Sequence, residues 1–62
     1  MKDLTLVLFY DGDDFITSSC LYFPRSMKDL LISNLRYIKE ANGALFVRLF
    51  DNDFKLIKTT EE

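Results

Sequence analysis

Met27, Leu31, Leu35 and Ile38 recur at helical spacing, with Leu30 and Ala41 widening the stripe and Arg25, Lys28, Ser33, Arg36, Lys39 and Glu40 lying mostly off it. This pattern predicts an amphipathic helix over residues 26–43. Ser26 is placed to cap it by accepting a backbone N–H, Asp29 puts an acid near the positive end of the helix dipole, and Pro24 disfavours an earlier start. Asn42 and Gly43 tolerate the left-handed conformation that closes many helices, so they mark the stop.

On both sides of the helix the period shortens to two. Residues 4–10 place Leu4, Leu6, Leu8 and Tyr10 on one side and Val7 and Phe9 on the other, so both sides are apolar and a central strand is expected. Asp11, Gly12, Asp13 and Asp14 follow, and an Asp-Gly pair after such a run predicts a hairpin turn. Residues 15–23 form the returning strand, interrupted in composition by Thr17, Ser18 and Ser19 and ended by Pro24. Beyond the helix, Leu45, Val47 and Leu49 alternate with Phe46, Arg48 and Phe50 as a third strand. Asp51, Asn52 and Asp53 supply a second turn, residues 54–59 pair back as a fourth strand, and Thr60, Glu61 and Glu62 make a solvated tail.

The resulting order is ββαββ, an α+β fold in one domain over residues 1–62, with an antiparallel-rich four-stranded sheet and one amphipathic helix on one face. No repeat, linker or low-complexity stretch interrupts it. If the second strand runs down, the helix returns up and the third runs down again, which sets the two turns at opposite ends of the sheet. Asp11, Asp13 and Asp14 therefore share no site with Asp51 and Asp53. One helix covers one face, assigned to Leu4, Leu6, Leu8, Leu45, Val47 and Leu49. The opposite face is expected to carry Val7, Phe9, Ile16, Tyr22, Phe46, Arg48 and Phe50, and is too apolar to stand in water alone.

Composition sharpens this. The chain is 48% hydrophobic, with six phenylalanines and three tyrosines in 62 residues. A domain of this size buries only about 60% of its unfolded surface, so the apolar supply exceeds what its interior takes up. Eight basic against ten acidic residues, a net charge of −2, give no electrostatic reason to approach nucleic acid or an anionic membrane, and the balance also argues against a nucleic-acid mimic. The absence of His and of a second Cys removes the usual transition-metal ligands, the usual general base and any internal disulfide. A lone Cys20 fits a reducing cytoplasm, and no apolar run reaches membrane-spanning or signal-peptide length.

The candidate chemistry is thin. The acidic turn at residues 11–14 lacks the spaced ligands of a calcium loop, whose closing position counted from Asp11 falls on Tyr22. Asp13 and Asp14 have nothing nearby to separate their acidities, Cys20 has no base to activate it, and the basic residues of the helix are interspersed with Asp29 and Glu40. No enzyme, metal or cofactor is expected. The aromatic face remains. Single-stranded RNA would need a basic surround and a glycine-rich signature, but only Arg48 lies among the rings. A protein partner or a second copy of the chain fits better, with Tyr22, Phe46, Arg48 and Phe50 as expected contact residues.

A short chain of this element order, with Met27-Lys28-Asp29 at the helix start, Glu40 and Asn42 near its end, Ala44-Leu45 opening the third strand and Asp51 at the second turn, resembles the Dmd antitoxins of T-even-type bacteriophages. The resemblance spans most of the length through scattered positions, and the first half, above all the Ser-rich second strand, departs from it. It implies a phage-encoded inhibitor that binds endoribonuclease toxins of the RnlA and LsoA kind in the cytoplasm of the infected bacterium and blocks them by occupying a groove. The alternative is a small structural homodimer or a module for another host protein.

Overall fold

A computed structural model describes residues 3–61, so Glu62 of the expected tail lies outside the described residues. Four strands, β1 (Leu4–Phe9), β2 (Ser19–Phe23), β3 (Phe46–Phe50) and β4 (Leu56–Thr59), form one antiparallel sheet in the order β2-β1-β3-β4. The helix α1 (Lys28–Ala41) links β2 to β3. The first strand is central, as its two apolar sides require, pairing Leu6 with Leu21 on one flank and with Leu49 on the other. The β1–β2 and β3–β4 turns lie at opposite ends, so the two groups of aspartates are separate.

The helix covers one face. Leu4, Leu6, Leu8, Val47 and Leu49 meet Leu31 and Leu35 in a continuous core, edged by Phe23, Met27, Ile32, Ile38 and Ile57. Leu45 departs from its expected place there. It lies outside β3 and is exposed, held by its N–H donating to the Phe9 carbonyl at 2.8 Å, while Ala44 takes the buried position.

The helix start also differs from expectation. Pro24 is extended, and its carbonyl accepts from the Met27 N–H at 2.9 Å, winding Arg25–Met27 into a 3-10 turn before α1. Ser26 is consumed in that turn, and the N-cap position falls to Met27, which makes no side-chain cap. Asp29 does sit in the first helical turn. The other end follows the sequence closely: Gly43 is left-handed (φ 67°), its N–H donates to the Glu40 carbonyl, and the Ala44 N–H donates to the Lys39 carbonyl at 3.0 Å. This pair of bonds satisfies carbonyls that the helix would leave open.

The first hairpin is looser than an Asp-Gly turn implies. The Asp14 carboxylate accepts from the Ile16 N–H at 2.9 Å, and the Thr17 and Ser18 hydroxyls donate to the Asp14 and Phe15 carbonyls. These local bonds compete with a strand ladder and fold Phe15–Thr17 into a 3-10 turn, so β2 begins only at Ser19. At the other end of the sheet, Asp51 Oδ1 accepts from the Asp53 and Lys55 N–H groups, both at 2.9 Å. The fourth strand is thereby delayed to Leu56, with Phe54 left-handed at φ 61°.

Candidate protein-docking surface

The second face of the sheet is largely closed by the chain itself, which corrects the expectation of an open aromatic layer. Val7, Phe9 and Phe50 are buried. Phe15, turned back by the 3-10 turn, meets Phe9 edge-on with ring centres 5.1 Å apart, and Phe54 stacks on Phe50 at 4.4 Å. Phe46 stacks on Phe9 at 4.7 Å. Arg48 lies across this pair, its guanidinium carbon 5.1 Å from the Phe9 ring centre and 5.0 Å from that of Phe46. Thr60 and Glu61, expected as solvated tail, are engaged with β3. Glu61 accepts two hydrogen bonds from Arg48, and Thr60 Oγ1 accepts from the Val47 N–H.

The four expected contact residues therefore occupy different environments. Phe50 is buried beneath Phe54, Phe46 and Arg48 are half-buried, and Tyr22 on β2 is 69% exposed. Ile16, expected on the same face, projects from the 3-10 turn at 91% exposure because it is not in a strand. Around the closed centre stand Phe15, Tyr22, Phe54 and Leu56, all exposed. The exposed apolar surface thus forms a rim on loops and edge strands, with Arg48 in its middle.

A second apolar feature was not legible in the strand pattern. Between α1 and β2 runs an open groove of about 400 Å³, walled by Leu21 and Phe23 on one side and Leu30, Asn34 and Tyr37 on the other. Its cause is topological: β2 is an edge strand, so among the described residues nothing beyond it covers that flank of the helix. Among the described residues no charged side chain lines it. Asn34 and Asn42 donate their amide N–H groups to the Leu30 and Ile38 carbonyls, leaving carbonyl oxygens to accept from a ligand. The sequence carries the signal in Leu30 and Tyr37, two large residues on the helix flank beside the buried stripe.

The charged groups offer structure rather than chemistry. The Lys55 backbone N–H holds the Asp51 carboxyl below its ordinary range, with smaller help from the Asp53 N–H and from the Lys55 and Arg25 charges against the opposing effect of burial. That acid is spent on closing its own turn. Among the described residues there is no cluster of metal-ligating side chains and no helix long and apolar enough to cross a membrane. What the surface can do is adhere, through aromatic rings, a cation and an uncharged groove. Comparison of the chain with protein-family models, with curated proteins and with solved structures finds no match.

Proposed function

We propose that this chain is a small inhibitor that binds another protein and blocks it by covering a working surface, without chemistry of its own. The observation that carries this reading is the exposed rim of Phe15, Tyr22, Phe54 and Leu56 around Arg48. Large apolar side chains gathered on one side of so small a domain are stabilised by leaving water, and aromatic residues with a central arginine are the usual anchors of such contacts. Tyr22, Phe46 and Arg48 would meet the partner directly, and Phe50 would act by supporting Phe54.

The likeness of the chain to Dmd-type antitoxins supports an endoribonuclease toxin of the RnlA or LsoA kind as the target and the cytoplasm of an infected bacterium as the setting. Co-expression with each toxin tests it: growth should be rescued and the two proteins should co-purify, and rescue should fall when Arg48 and Tyr22 are replaced by alanine. If neither toxin is neutralised nor retained, the antitoxin reading fails. A second reading, a structural homodimer, is favoured by the free edge of β2.

A further inference from the structure

We propose that β2 pairs antiparallel with β2 of a second copy, joining two sheets into one of eight strands with both helices on the same side. The direction of the backbone groups is the first support. Val47 turns its N–H and C=O toward the chain beyond β3, where Thr60 bonds both. Alternation then turns Arg48 toward Val7, and Leu6 and Leu8 toward Leu21 and Ser19. On β2 the residues left facing outward are Cys20 and Tyr22.

The two edges of the sheet are treated differently. The β4 edge carries Lys58, follows Lys55, and faces a register break at Leu49 and Phe50, all devices that discourage strand pairing. Ser19–Phe23 has no charge and no proline, and every residue of it except Phe23 is exposed. Its flank on the helix is likewise uncharged, and Arg25, Lys28, Asp29, Arg36 and Lys39 do not line the groove. A surface that meets its own copy across a two-fold axis must avoid charge of one sign, and among the described residues this one has none.

The occupant is a second copy because β2 itself has the properties this edge selects: an uncharged extended segment with large apolar residues two apart. Placing the axis at Leu21 pairs Cys20 with Tyr22 of the copy and uses every outward N–H and C=O. Shifting the axis to Cys20 would call on the Ser18 N–H, which already donates to Phe15, and shifting it to Tyr22 would call on Pro24, which has none. The two grooves then open toward each other across the axis. Leu21, Leu30 and Tyr37 together expose on the order of 300 Å², to which the strand backbone and the edge of the paired Cys20 and Tyr22 add toward the ~800 Å² per partner of a stable interface, while the Tyr22 ring stays open on the other face of the sheet.

Sedimentation of the purified chain from about 1 to 500 µM should show a monomer–dimer equilibrium. Leu21→Glu and Leu21→Lys should each sediment as monomers, and mixing the two should restore a dimer. In a Cys20→Ser background, Leu21→Cys should form an intermolecular disulfide on mild oxidation, because residues on the axis lie about 4.5 Å apart, whereas Tyr22→Cys should not. A wild-type monomer at the highest concentration overturns the proposal. So does a dimer that survives both charged variants, or one that cross-links equally at both positions. The inhibitor reading does not depend on this result, since its test is toxin neutralisation.

Discussion

Arg48 donates to a single oxygen of Glu61 from two of its nitrogens, at 2.9 Å and 2.8 Å, across thirteen residues of chain. The pair pins the last described residue to the centre of the sheet and spreads the arginine over Phe9 and Phe46. Both side chains are partly exposed, so the ion pair alone is worth little. Arg48→Ala should lower unfolding stability by about 1–2 kcal/mol, mostly by uncovering the rings, and Glu61→Gln by less than about 1 kcal/mol. Urea denaturation measures both, and an equal loss in the two variants would assign the effect to charge instead of cover.

Gly43 closes α1 in a left-handed conformation with open space where a side chain would be. The cost of a substitution there is therefore backbone strain alone. Gly43→Ala should destabilise by about 1–2 kcal/mol, and Gly43→Asn should recover part of that. Thermal melts of the two variants should rank in that order.

Phe54 holds a comparable conformation without being glycine, and its ring lies nearly flat on that of Phe50, 9° from parallel. Stacking and strain oppose each other at this position. Phe54→Gly should be more stable than Phe54→Ala by about 1 kcal/mol, since both lose the ring and only glycine relieves the backbone. Melting the two side by side decides it.

The Asp51 carboxyl is lowered in the folded chain, so the folded state holds its proton less tightly than the unfolded one. Its contribution is present above the ordinary carboxylate value and is lost as pH falls through the lowered folded value. Asp51→Asn should be less stable than wild type at neutral pH, with the gap closing in strong acid. A gap that stays constant down to pH 2 would mean that the turn is held by other bonds.

The periodic segments were legible because burial dictated them. The central strand, the helix stripe and the Asn42-Gly43 stop all express patterns that packing rewards directly. Where short polar side chains had a choice, the sequence misled: Asp14, Thr17 and Ser18 bond locally and take residues 15–18, four in all, from β2, and Pro24 starts a turn one step before Ser26 could cap. The closure of the aromatic face was illegible for a different reason. It depends on Phe15 and Phe54 folding back from loops and on Glu61 reaching Arg48, contacts that no spacing announces. Tyr22 was readable as exposed, but the groove beside it follows from strand order, which a pattern of alternation does not contain.

The position of β1 has a consequence for synthesis. One of its flanks is satisfied by nearby β2, and the other only by β3, which begins at Phe46. A ribosome releasing the first forty residues has therefore delivered leucines whose remote partners do not yet exist. Commitment to the native state should come late and all at once. Amides of the middle strand should exchange with heavy water at the rate of whole-molecule opening, while those at the margins exchange sooner.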